Sequence, residues 1–205
     1  YQNIGINGAD NSVWTWGEGA YGNLGTGNTT ARSSPVSTAG GHLCTDVNTG
    51  TRHCAILRAS DGMVLCFGYN LYGNIGDNSR THRNSPVAIA RAGSYIAVAC
   101  QNYSTHAIDA SDGQVWSWGN NAYGNLGDNS TVSKSSPVLV VGGHSFVAIA
   151  CGSNHVLALK ADGSTWAWGL GNFGQLGNNS TATRSSPVSV VGGHSFIDLG
   201  AGYYH

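Results

Sequence analysis

Between Trp118 and Gly169 the chain reads WGNNAYGNLGDNSTVSKSSPVLVVGGHSFVAIACGSNHVLALKADGSTWAWG, and this order of signals occurs four times in 205 residues. Trp16-Gly17, Phe67-Gly68, Trp118-Gly119 and Trp168-Gly169 recur at spacings of 51, 51 and 50. A Ser-Pro-Val triplet keeps step at Pro35, Pro86, Pro137 and Pro187, as does a turn signal at Asp10-Asn11, Asp61-Gly62, Asp112-Gly113 and Asp162-Gly163. Self-similarity at a fixed period of this size is the mark of a repeat architecture. It divides one domain, 1–205, into approximate repeats 3–53, 54–104, 105–155 and 156–205.

Each repeat reads as short strands. VWTWG at 13–17 alternates before a glycine, with Trp14 and Trp16 on one face, as a half-buried strand does. HVLALKADGSTWAWG at 155–169 is a hairpin whose Asp-Gly supplies residues that tolerate positive φ. No stretch has helical periodicity. Several short strands per unit, with aromatics and glycines at fixed places, is the pattern of a propeller blade. The fold class expected is therefore all-β: a β-propeller-like array of four blades' worth of short antiparallel strands, with incomplete ends.

The Trp-Gly, the Asn-Leu-Gly of YGNLG, the Pro and the Gly-x-x-His of the quoted segment closely resemble the regulator of chromosome condensation repeat. The resemblance covers essentially the whole chain. It implies a β-propeller, usually of seven blades, where this chain holds four copies. Two positions depart from the family pattern: Phe67 stands for Trp, and Gln101 stands for Gly, leaving Ser104 or a shifted His106 at the His position.

The repeated residues read as architecture. Gly25, Gly76, Gly127 and Gly177 allow tight turns and close backbone approach. Leu24, Ile75, Leu126 and Leu176 are the apolar anchors beside them. Trp16, Phe67, Trp118 and Trp168, together with Tyr21, Tyr72, Tyr123 and Phe173, offer area to bury between neighbouring blades. The loops NTTARS, NSRTHRN, NSTVSKS and NSTATRS show no concentrated aromatic hot spot. His53, His155 and His205 recur with the repeat, where the resemblance makes them packing residues rather than metal ligands. One Asp per hairpin falls short of a calcium shell. No nucleophile, base and orienting acid can be assembled. The chain is expected to be no enzyme, with no metal and no cofactor.

Net charge is −1 and charged residues are only 9%, so no general attraction to nucleic acid or to an anionic membrane is expected. No apolar run is long enough for a membrane span. Among five cysteines, Cys54 and Cys66 face each other if Leu57 opposes Met63 across the Asp61-Gly62 turn, which makes them a candidate disulfide. Cys100 and Cys151 occupy positions that the resemblance implies are buried thiols. Asn28, Asn129 and Asn179, along with Asn102 and Asn178, begin Asn-x-Ser/Thr triplets and are candidate glycosylation sites.

These features point to a non-enzymatic structural module of a larger extracellular polymer, filament or virion appendage, located outside the cell or on a surface. Asn3 aligns with His205, so the chain starts about where another copy would continue. Its N-terminal strand is expected to complete the last blade of a neighbouring copy head to tail, with self as partner. The alternative is a secreted propeller that grips a protein or glycan through its loops. Exchange of nucleotide on a small GTPase, the family's namesake activity, is disfavoured by the missing basic segments.

Overall fold

The alternating runs VWTWG, VLCFG, VWSWG and TWAWG each form a strand at the centre of a blade. The computed structural model describes residues 2–203 and 205, and among them every regular element is a strand. The first sheet holds β1 (Gln2–Ile6), β2 (Val13–Gly17) and β3 (Arg32–Ser37). The second holds β4 (Cys44–Thr49), β5 (His53–Arg58), β6 (Val64–Gly68) and β7 (Arg83–Ala88). The third holds β8 (Tyr95–Cys100), β9 (Ser104–Asp109), β10 (Val115–Gly119) and β11 (Lys134–Leu139). The fourth holds β12 (Ala148–Cys151), β13 (His155–Leu159), β14 (Thr165–Gly169) and β15 (Arg184–Ser189). All pairings are antiparallel between chain neighbours.

Successive inner strands β4, β8 and β12 lie side by side, and each also packs on β1, β5 or β9 of the sheet before it. The sheets thus follow one another as blades along a propeller arc, as the sequence predicts. Each four-stranded sheet takes its innermost strand from the end of one sequence repeat and its other three from the next. The outermost strands carry Pro35, Pro86, Pro137 and Pro187, and proline's missing N–H blunts such edges against further pairing.

The blades are joined by their aromatic residues. The Trp118 and Trp168 rings are fully buried, and each donates its indole N–H to the carbonyl of the preceding blade's loop, Asn74 and Asn125, at 3.0 Å. The rings lie on Gly76 and Gly127, where an added Cβ would come within 2.7 and 2.9 Å of the indole nitrogen. Phe67 sits likewise on Gly25 but has no N–H, and the Asn23 carbonyl there keeps its contact with the Cys54 thiol at 3.5 Å, which matches that of Thr105 Oγ1 with the Asn74 carbonyl. These glycines also adopt φ between 63° and 78°, a region that disfavours side chains. Leu24, Ile75, Leu126 and Leu176 are fully buried beside them, whereas Trp16 in the first sheet is half-buried.

The hairpin register separates Cys54 from Cys66. Arg58 N–H donates to the Met63 carbonyl and Gly62 N–H to the Arg58 carbonyl, so the turn holds residues 59–62 and Leu57 opposes Val64. Cys54 then pairs with Phe67, and Cys66 with Ala55. A one-residue slip puts alternate side chains on opposite faces. Cys54 packs toward the first sheet with Val13 and Phe67, and Cys66 packs toward the third with Val98 and Trp118. The expected disulfide is therefore absent, and all five cysteines are free thiols.

The departure at Gln101 is a paired exchange. In the regular repeats the His ring covers the glycine three residues earlier: a Cβ on Gly50 would meet His53 Cε1 at 2.3 Å, and one on Gly152 would meet His155 Cε1 at 2.2 Å. Where Gln replaces Gly, Ser104 replaces His, and the amide fills the vacated space. Gln101 Nε2 donates to the His155 carbonyl at 2.7 Å, and its Oε1 accepts from Ser104 Oγ at 2.6 Å and Asn125 Nδ2 at 2.8 Å. Gln2, rather than the Asn3 expected from aligning the chain's ends, stands at the His position of the first sheet and makes the same bridge, donating to the His53 carbonyl and accepting from Asn23 Nδ2. His106 instead points its Nδ1 at Ser117 Oγ, 2.8 Å away.

Gln101→Gly alone strips these buried groups of partners and is expected to cost about 1–3 kcal/mol. Ser104→His alone places two side chains in one space. The double variant Gln101→Gly/Ser104→His rebuilds the regular repeat and recovers most of the loss in urea unfolding. Losses that simply add would contradict the exchange.

Candidate functional site

Antiparallel strands put alternate loops on opposite faces of the arc. The loops after β2, β6, β10 and β14, together with the short turns between β4 and β5 and between β8 and β9, share one face. On it, side chains from three sheets converge. Tyr21 comes from the loop after β2, Tyr69, Tyr72 and His82 from the loop after β6, Arg52 from the β4–β5 turn and Tyr103 from the β8–β9 turn.

The Tyr21 and Tyr69 rings meet edge to face at 5.3 Å, and Tyr69 stacks on His82 at 5.0 Å. Tyr103 touches Tyr69 at 5.5 Å and Tyr72 at 5.3 Å. The Arg52 guanidinium lies 5.0 Å from the Tyr21 ring centre, and its Nη1 donates to the Tyr21 hydroxyl at 3.3 Å. Aromatic contacts of this kind contribute about 0.5–1.5 kcal/mol each. Local bonds hold the loop: Tyr69 N–H donates to the Arg52 carbonyl, and Asn70 N–H donates to His82 Nδ1. Burial pushes the Tyr69 phenol up, and the neighbouring Tyr72, Tyr103 and Tyr21 add to it, so the hydroxyl stays neutral at physiological pH. The cluster is packed within itself yet open to solvent, with Tyr72 38% exposed.

Repeat logic missed this site. Tyr72, Tyr123 and Phe173 are exposed rather than buried between blades, because the tight YGNLG turn directs them outward. An aromatic cluster does exist on this face, with His82 from the loop 78–84 and its tyrosines from outside the four loops read above. Tyr69 and Tyr103 depart from the repeat, with Glu18, Asn120 and Leu170 at one set of equivalent positions and Arg52 and Asn154 at the other. Such departures were the available signal.

The remaining candidates lie apart from this cluster. His53 and His155 each lie against their own blade's glycine, and among the described residues no three His, Cys, Asp or Glu side chains converge on a metal position. His106 lies between Ser104 and Ser117, but all three are buried beyond a substrate's reach. A cavity of about 380 Å³ at the ends of the inner strands is lined partly by Thr51, Asn102 and Ser153. These join blade to blade, with Thr51 Oγ1 donating to Asn102 Oδ1 and Asn102 Nδ2 to Ser153 Oγ. Asn28, Asn129 and Asn179 are exposed on loops, the last two with φ of 60° and 58°, a left-handed conformation that Asn tolerates.

The fold and this face define a propeller-type scaffold. The chain belongs to the regulator of chromosome condensation repeat family: the Regulator of chromosome condensation (RCC1) repeat matches residues 10–57, 112–159 and 162–205. The E3 ubiquitin-protein ligase HERC2 of Homo sapiens is 32% identical over 154 residues, 73% of this chain and 3% of the ligase. The ultraviolet-B receptor UVR8 of Arabidopsis thaliana is 32% identical over 155 residues, 73% of this chain and 35% of the receptor. Human WBSCR16 superposes with a TM-score of 0.87 at 23% identity, covering 98% of this chain and 54% of that one. Prp20p from Saccharomyces cerevisiae, described with its binding to Gsp1p and histones, gives 0.85 at 18% identity, covering 98% and 52%. The chain therefore spans about half of these solved propellers and a smaller part of the curated relatives.

Two expectations are overturned. The filament or virion-appendage module joined by strand complementation is contradicted by these relatives, a ubiquitin ligase, a light receptor and a protein that binds Gsp1p and histones. In the structure β1 pairs with β2 of its own sheet from Gln2 to Ile6. The extracellular or surface location is contradicted by the same relatives, and the disulfide that supported it does not form.

The buried histidines set a pH dependence. Burial pulls the His53 imidazole down to about 4, and burial with His53 nearby pulls His106 to about 3. Unfolded histidines have their ordinary value near 6.5, so the unfolded state binds more protons below that pH. Stability is full above about pH 6.5 and falls on acidification, by up to about 1.4 kcal/mol per pH unit for each group. The double variant His106→Leu/Ser117→Ala, which copies Leu157 and Ala167 of the fourth sheet, is expected to lose less stability in urea unfolding from pH ~7 to pH ~5 than the parent. A parent whose unfolding midpoint does not move over this range would contradict the assignment.

Proposed function

We propose that the chain is a non-catalytic protein-binding propeller module whose contact surface is the Tyr21–Arg52–Tyr69–Tyr72–His82–Tyr103 cluster. The observation that carries this reading is the convergence of four tyrosines and an arginine from three sheets on one solvent-open face. Tyrosine and arginine are enriched at the energetic centres of interfaces, where their rings and forked donors are pre-packed. Here the mutual stacking holds the rings in place before a partner arrives, which lowers the ordering cost of binding. Binding of Gsp1p and histones by Prp20p and of Kap60 by the same yeast protein accords with propellers of this fold serving as protein scaffolds.

A photo-crosslinking phenylalanine derivative placed at Tyr72, and separately at Val147 near the opposite face, tests the reading in cells. Position 72 is expected to yield a discrete protein adduct that position 147 does not. Tyr103→Ala is expected to reduce the adduct about tenfold or more, as loss of a hot-spot residue does. Adducts equal at both positions, or indifferent to Tyr103, would overturn it.

A further inference from the structure

The net charge of −1 conceals a division between the two faces. The face that bears the tyrosine cluster carries Arg32, Arg52, Arg80, Arg83, Lys134 and Arg184 against Glu18, Asp77 and Asp128. The opposite face, with the hairpin turns, carries Arg58, Arg91 and Lys160 against Asp10, Asp61, Asp109, Asp112 and Asp162. Asp46 lies in the inner strand β4, and Asp198 at the repeat-equivalent position. The tyrosine face is thus net cationic by three and the hairpin face net anionic by two.

Pairing does not cancel the first imbalance. Asp77 and Asp128 are held by Arg83 at 2.5 Å and Lys134 at 3.8 Å. None of the ion pairs among the described residues given by the structure includes Arg32, Arg52, Arg80 or Arg184. Glu18 is the remaining acid on this face. Arg52 lies against Tyr21, and Arg80 is exposed on the same loop as Tyr72 and His82. One guanidinium therefore lies against the stacked aromatic surface, and a second is carried exposed on the loop that supplies Tyr72 and His82.

We infer that this face takes an acidic, aromatic-containing segment of a partner protein. Arg52 and Arg80 meet its carboxylates, and Tyr72 with Tyr103 meets its aromatic side chain. The inference rests on the reading of the cluster as a protein contact surface. Guanidinium groups pair with carboxylates through parallel N–H donors, and complementary charge steers encounter and rejects basic competitors. A nucleic acid is the weaker fit, because Arg32, Arg83, Lys134 and Arg184 stand one to a blade at the starts of the outer strands, two of them engaged by Asp77 and Asp128, rather than in one basic track.

The experiment uses the full chain and fluorescence anisotropy. Its labelled probes are a glutamate-rich peptide with a central phenylalanine, the same peptide with lysine or glutamine in place of glutamate, and an oligouridylate. The glutamate peptide is expected to bind about tenfold tighter than the glutamine peptide, and more tightly still relative to the lysine peptide. Its affinity is expected to fall as salt rises from about 0.05 to about 0.5 M. Arg80→Glu, on an exposed loop away from the core, is expected to abolish the preference, and Arg52→Glu/Arg80→Glu to reverse it. Equal or tighter binding of the glutamine or lysine peptide, tighter binding of oligouridylate, or a preference untouched by Arg80→Glu overturns the inference. Intact crosslinking at position 72 with no acidic preference overturns the charge assignment alone. Loss of the adduct with the preference intact overturns the contact surface as the partner's seat in cells.

Discussion

Each blade of this arc is fixed to the one before it by an aromatic ring seated on a glycine. Trp118 and Trp168 reach back across the interface, close over Gly76 and Gly127, and donate to a loop carbonyl that has no strand partner. The contact joins two demands that are usually met separately: burial of a large apolar surface and satisfaction of a buried backbone acceptor. It also explains why the loop must turn left-handed at that glycine, since the ring occupies the place where a side chain would stand. The arc is built by repeating this contact rather than by one central core. The hydrophobic clusters accordingly lie between successive sheets.

The irregular repeats show how much freedom that contact leaves. Phe67 keeps the ring and gives up the donor, and the Cys54 thiol remains at the carbonyl as Thr105 Oγ1 does beside Trp118. Gln101 and Ser104 exchange roles with a Gly and a His, and the amide reaches the same carbonyl of the next blade that Gln2 reaches in its own setting. At the second place the Gln101 amide, the Ser104 hydroxyl and Asn125 Nδ2 keep partners although the residues supplying them change, while Asn125 Oδ1 has none. Buried polar atoms without a partner are costly, so the exchange of Gln101 and Ser104 comes as a pair.

Most of the fold was legible in the sequence because its punctuation is local. The Trp-Gly strand ends, the Asp-Gly turns and the prolines of the outer strands each act within a few residues. The hairpin between β5 and β6 was not, since an Asp-Gly pair marks a turn without fixing how many residues enclose it, and one residue decided the fate of Cys54 and Cys66. The tyrosine cluster was illegible for a different reason. Tyr21 and Tyr72 obey the repeat, whereas Tyr69 and Tyr103 break it, and the four become neighbours only when consecutive blades are set side by side. The cluster thus forms where the repeat pattern is interrupted, on a face whose cationic excess the near-neutral total conceals.

The central claim is that the ring-on-glycine seat couples neighbouring blades. A double-mutant cycle in urea unfolding with Gly127→Ala and Trp168→Ala tests it directly. The backbone cost of alanine at positive φ occurs with and without the ring and cancels in the cycle, leaving the steric contact. The account predicts that Gly127→Ala costs markedly less once the ring is gone, with a coupling energy of about 1 kcal/mol or more. Additive losses, within about 0.5 kcal/mol, would contradict it.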